Sequence, residues 1–137
     1  MTTSTPSHVT AIPAASRADA ARHFELLLSL ETDCWDVHES MQGGAPDFVL
    51  LHVNGTQAGF DDAHIPGATY FPHATINEDT LAPYPADTIF VVYCAGPHCN
   101  AADRAAARLA RFDRPVKKMI GGKVGWLDEG FELVSSR

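Results

Sequence analysis

Two cysteines and a histidine stand close together in Val91-Val92-Tyr93-Cys94-Ala95-Gly96-Pro97-His98-Cys99-Asn100, where an apolar run gives way to an alanine-rich one. Residues 89–93 are apolar, β-branched or aromatic and predict a buried strand, whereas the Ala, Arg and Leu of residues 101–110 predict a helix. Cys94 therefore falls where strand becomes loop, a reactive address for a thiol. Gly96 permits a tight turn, Pro97 fixes its own φ, and Asn100 followed by Asp103 reads as a helix N-cap signal. Backbone N–H groups of Ala95, Gly96, His98 and Cys99 are expected to point at the Cys94 sulfur, with the positive end of the helix dipole behind them. Such a cradle lowers a thiol pKa and holds an anion. The expected site is thus Cys94 with the loop residues Ala95, Gly96, Pro97, His98, Cys99 and Asn100.

The elements that must hold this loop follow from the pattern on either side. Residues 1–16 are rich in Thr, Ser, Pro and Ala and are expected to form a flexible arm; residues 17–137 are expected to form one domain with a core at about 47–134. Ala20, Ala21, Phe24, Leu27 and Leu28 recur at helical spacing behind Ser16 and Asp19, predicting an N-terminal amphipathic helix. Residues 32–41 predict a second helix ended by Gly43-Gly44 and Pro46. Residues 47–54 read as a strand buried on both faces, residues 69–71 as a short strand, and residues 73–88 as an irregular connection with a helical turn. Residues 114–120 supply a last strand, Gly121-Gly122 a turn, and residues 124–129 a closing helix. Strands alternating with helices imply an α/β fold, a mostly parallel sheet with helices on both faces, in which ligands bind at the carboxyl ends of strands. Cys94 lies at such an end.

Composition narrows the partners. The chain has 137 residues, 45% hydrophobic, with a net charge of -7, which suits one globular domain and disfavours a nucleic-acid partner. The dense basic cluster at residues 104–118 reads as a solvated helix face and its exit. No run reaches the roughly 18 apolar residues of a membrane span, and the first residues lack a signal-peptide pattern, so the cytoplasm is the expected location. Cys34 beside Trp35 reads as a small core hydrophobe, and His38 as a surface residue. His52, His64, His73 and His98 show neither helical ligand spacing nor a Cys-x-x-Cys partner, so no metal is expected. Cys99 has two readings: it resolves an oxidised Cys94 into a disulfide, or it points away and packs under the helix start.

Three separated segments then share a pattern: His64-Ile65-Pro66-Gly67-Ala68, Val91-Val92-Tyr93-Cys94, and Gly121-Gly122-Lys123-Val124-Gly125-Trp126-Leu127-Asp128-Glu129-Gly130-Phe131. In type and order they resemble the single-domain rhodanese-like sulfurtransferases. The resemblance implies the rhodanese fold, Cys94 as a persulfide-carrying nucleophile, a small sulfur donor such as thiosulfate or a persulfide, and a thiol or cyanide-like acceptor. It implies no cofactor. The family commonly carries Asp-x-Arg after the strand ending here in His52-Val53-Asn54, and an arginine further along the loop, where this chain has Cys99. With neither cation present, His98 is the side chain left to supply charge at the loop. Two other functions stand beside sulfur transfer: a non-catalytic binding or regulatory module, and thiol redox chemistry at Cys94 and Cys99. A phosphatase or arsenate reductase is weakened by the missing loop guanidinium.

Overall fold

The computed structural model describes residues 5–137; residues 1–4 of the expected arm lie outside the described residues, and residues 5–16 are irregular and exposed. Helix α1 (Arg17–Leu30) begins at Ser16, whose Oγ accepts the Asp19 N–H at 3.1 Å. None of its residues is buried, and Phe24, Leu26, Leu28 and Leu30 stay exposed. The next two residues depart from the expected helix. Glu31–Thr32 form strand β1, because their backbone pairs in parallel with Lys118 and Met119; two residues are too few for a periodicity to register. Helix α2 (Cys34–Met41) follows, capped by the Asp33 side chain on Asp36 N at 2.8 Å.

The remaining strands are β2 (Val49–His52), β3 (Thr69–Tyr70), β4 (Phe90–Tyr93) and β5 (Val116–Met119), arranged β1-β5-β4-β2-β3 with every pair parallel. Between and after them lie α3 (Gln57–Asp62), α4 (Glu78–Leu81), α5 (Ala101–Arg111) and α6 (Gly122–Asp128). This is the parallel α/β architecture that the alternating pattern predicts. Alternation along β2 and β4 splits the core in two. Leu51, Val53, Phe90, Val92 and Cys94 pack with α4 and α5, while Leu50, Val91 and Tyr93 pack with Cys34 and Val37 of α2 and Trp126 of α6. No described helix is long and apolar enough to cross a membrane.

The basic cluster is more than a solvated face. Arg108 donates to the carbonyls of His73 and Ala74, and Arg114 to those of Leu81, Tyr84 and Pro85. These guanidinium forks satisfy carbonyls of the irregular 73–85 connection, which has few ladder partners of its own. His38 also departs from the surface reading. It is half-buried and stacks on Phe131 with ring centroids 3.8 Å apart, with Gln42 hydrogen-bonded to its Nε2 at 3.2 Å.

Two other histidines have structural partners. His64 Nδ1 lies 2.7 Å from the Phe60 carbonyl, and its ring stacks on Phe60. His52 is buried with Nδ1 2.8 Å from the Tyr93 hydroxyl, which accepts the Ile65 N–H at 3.2 Å. The Tyr93 O–H is assigned as the donor and His52 Nδ1 as the acceptor, the pairing that a neutral imidazole makes. Burial first, then Lys123, push His52 down to about 4, against the pull of the Asn54 carbonyl. Between the ordinary value of 6.5 and about 4, the unfolded chain holds a proton that the folded chain refuses. Folding stability is thus expected to fall as pH drops through that window, by about 3 kcal/mol from this residue. Denaturant titrations at successive pH values should show the acid loss, and His52→Gln should make it shallower. Among the described residues, no three His, Cys, Asp or Glu side chains gather as a metal set.

Candidate functional site

β4 is buried along all four residues, so its register is fixed on both faces and its end is a rigid support. Cys94 follows directly, on the α5 face and 3% exposed. The loop after it is clamped from the far side by the start of α6: Lys123 N–H donates to the Cys94 carbonyl and Val124 N–H to the Ala95 carbonyl, each at 3.0 Å. Gly122 has φ +60, and a Cβ there would lie 2.7 Å from Gly96 N and 2.9 Å from the Ala95 carbonyl carbon. Only glycine allows this approach of two backbones.

Beneath the clamp, Cys34 packs with its Sγ 3.5 Å from the Ile120 carbonyl oxygen and 3.7 Å from that of Gly122. Burial chiefly, with Asp33, Glu129 and Asp128 adding, pushes its thiol up to about 11. It is the small core side chain that its sequence neighbours suggest.

A cavity of about 230 Å³ opens over Cys94, lined by Gly96, Pro97, Cys99 and Gly122 and by Asp103 of α5 and Lys118 of β5. The expected cradle is built differently. Cys99 N–H is not free for the sulfur, because it closes a turn onto the Gly96 carbonyl at 3.0 Å. The amides that favour a Cys94 thiolate are those of Ala102 and Gly96, while those of Ala101 and Ala95 serve Cys99. The Asn100 side chain does not cap α5; its Oδ1 accepts from Arg104 Nε at 3.2 Å. Asp103 turns instead to Lys118, with Nζ 3.0 Å from its Oδ1.

The expected lowering of the Cys94 pKa is corrected by this geometry. Burial dominates and raises it, and the neutral thiol donates to the Cys99 carbonyl at 3.2 Å. Cys99 moves the other way. Burial works against it, but the Ala101 amide, the Cys94 thiol and the Ala95 amide outweigh burial and lower its pKa. Cys99 lines the cavity while also packing, partly buried, against the core cluster that holds Ala101 and Ala102 at the start of α5, and it is the thiol that ionises first. With iodoacetamide near neutral pH, alkylation is expected at Cys99 first, then Cys94, with Cys34 reacting only on unfolding; peptide mapping over time reads the order.

The charge at the site also comes from an unexpected residue. His98 is exposed and does not line the cavity. Lys118 does, and register explains why: it pairs with Val92, so both it and Cys94 project to the α5 side of the sheet. Burial opposes its charge, but Asp103, Glu31 and Cys94 together raise its pKa, so it stays protonated. The signal was in the sequence as the second lysine of Val116-Lys117-Lys118-Met119. Only the strand register shows which lysine faces the thiol.

A model of the Rhodanese-like domain matches residues 33–129. The chain belongs to the rhodanese-like family. The match begins at α2's cap, ahead of the expected core, and takes in the Cys94 loop and α6. The BH2092 protein of Bacillus halodurans is similar over 88% of each chain, with 34% identity and a TM-score of 0.83. The rhodanese-like domain of the Alr3790 protein from Anabaena covers 77% of this chain and 78% of its own, with 22% identity and a TM-score of 0.66. A thiosulfate sulfurtransferase from Pseudomonas aeruginosa shares the fold over 87% of this chain and 22% of its own, with 21% identity and a TM-score of 0.59. No curated protein matches. Within this rhodanese-like frame, the three sequence segments meet around one loop: β4 delivers Cys94, Gly121-Gly122 let α6 close over the loop, and Ile65 of the His64-Ile65 segment is tied to Tyr93 beneath it.

Proposed function

We propose that this rhodanese-like chain is a sulfurtransferase that carries a persulfide on Cys94. The observation that supports this most is the cavity that places a buried thiol, the Ala102 and Gly96 amides and the Lys118 ammonium around one small volume. A Cys94 thiolate attacks the sulfane sulfur of the donor. With thiosulfate, the S–S bond breaks, sulfite leaves with the bonding pair, and Cys94 holds the sulfane sulfur as a persulfide. An acceptor thiolate or cyanide then attacks that terminal sulfur and returns Cys94 as thiolate. Amides preorganised at the loop favour the anionic states along this path.

A non-catalytic binding module draws its support from the lack of a loop cation; Lys118 supplies one from the neighbouring strand instead. Its removal gives a direct check. Lys118→Met is expected to raise KM for thiosulfate about tenfold with a smaller change in kcat, and to flatten the dependence of KM on salt. Steady-state assays at two ionic strengths read both effects. The proposal as a whole is tested with thiosulfate, 3-mercaptopyruvate and glutathione persulfide as donors, and cyanide or a small thiol as acceptor. Turnover above the uncatalysed rate with at least one donor is expected; none with any of them would leave the binding module as the better reading.

A further inference from the structure

Cys94 and Cys99 face one cavity from opposite ends of a turn closed by the Cys99 N–H to Gly96 carbonyl bond. Their thiols are close enough to shift each other, and the Cys94 proton is already directed at the Cys99 backbone 3.2 Å away. Cys94 is 3% exposed, whereas Cys99 is only partly buried. We propose that Cys99 resolves the Cys94 persulfide within the chain, releasing the transferred sulfur as hydrosulfide and leaving a Cys94–Cys99 disulfide. This rests on the sulfur-transfer reading and extends it to a persulfide-reducing activity driven by an external dithiol.

Cys99 gives its proton to the terminal sulfur of the Cys94 persulfide and, as thiolate, attacks Sγ; the Sγ–S bond breaks and its electron pair leaves with the protonated sulfur as HS⁻. The sulfane sulfur is reduced by two electrons, and the two cysteine sulfurs are oxidised together to the disulfide. A dithiol then reduces the disulfide by thiol exchange and returns both thiols. Attack on the outer sulfur instead would move the persulfide to Cys99 and expel Cys94 as thiolate. Leaving groups decide between the two, because exchange is faster when the departing thiol is the more acidic. Burial raises Cys94, which makes it the poorer leaving group, so the inner attack with loss of hydrosulfide wins. The lowered pKa of Cys99 makes it a thiolate at lower pH than its neighbour, as an attacking thiol should be.

The test uses the full reduced chain and its Cys99→Ser variant, each incubated with thiosulfate or inorganic polysulfide and then freed of excess donor. The wild type is expected to release one equivalent of sulfide and to become lighter by two hydrogens, with peptide mapping joining Cys94 to Cys99. Cys99→Ser is expected to stay heavier by one sulfur on Cys94 for at least about ten times longer, and to release sulfide only when dithiothreitol is added. A wild-type persulfide as long-lived as that of the variant overturns the proposal while leaving sulfur transfer intact. If neither chain takes up sulfur, the sulfur-transfer reading fails and the persulfide step fails with it. The pair itself is judged separately by equilibrating the wild type in glutathione redox buffers. A Cys94–Cys99 disulfide there supports the resolving geometry; mixed disulfides with glutathione alone overturn it.

Discussion

Cys94→Ser is expected to abolish sulfur transfer with every donor, a fall of at least about a thousandfold in kcat/KM. The substitution is close to isosteric, and a serine hydroxyl can still donate to the Cys99 carbonyl that now accepts from the thiol at 3.2 Å. The fold should therefore persist, with the melting temperature little changed. What disappears is a polarisable sulfur able to attack another sulfur and to hold it reversibly. Cys99 keeps its lowered pKa environment only in part, since the Cys94 thiol contributes to it, so its alkylation should slow in the same variant. A transfer assay together with circular dichroism separates loss of chemistry from loss of structure.

Gly122→Ala is expected to have the second-largest effect, on stability and activity together. The residue sits at φ +60, where an L side chain is strained by about 1–3 kcal/mol. The added methyl would also meet the backbone of residues 94–96, at 2.7 Å from Gly96 N, and no flexible side-chain end is there to yield. Relief requires the Cys94 loop and α6 to separate, which breaks the two 3.0 Å bonds from Lys123 and Val124 to the loop carbonyls. A displacement near 1 Å at a reacting group can cost about a hundredfold in rate, so activity should fall by that order even where the chain still folds. Gly130→Ala is the comparison. Its φ is +84 but nothing lies within 4 Å of an added Cβ, so it should show backbone strain without the loss of activity. Melting curves and transfer assays on the two variants separate strain from collision.

Much of the frame is legible in the sequence. The continuous apolar run ending at Tyr93, the glycine pair at 121–122 and the helix behind the loop are local signals; β4 and α5 formed where their patterns put them, while α6 begins at Gly122, inside the expected turn. The rest was set by pairing. β1 is two residues long and exists only because β5 offers it a partner. Lys118 comes to line the thiol's cavity through its register with Val92, which no helical or strand periodicity of its own segment reveals. The raised pKa of Cys94 escapes the sequence for a related reason. A strand-to-helix turn suggests free amides, but the turn uses Cys99 N–H for its own closure, and burial at the end of a fully buried strand outweighs the amides that remain. Asn100 likewise stands at the cap position, yet its side chain goes to Arg104.

The central claim is that Cys94 is the atom on which sulfur is carried. Intact-mass measurement after exposure to a sulfur donor, followed by mapping of the peptides that hold Cys34, Cys94 and Cys99 in the wild type and in Cys99→Ser, tests it most directly. One added sulfur on Cys94 in the Cys99→Ser chain, absent from Cys94→Ser, is the predicted result. Sulfur on Cys99 or Cys34 alone, or on no cysteine with any donor, would contradict it.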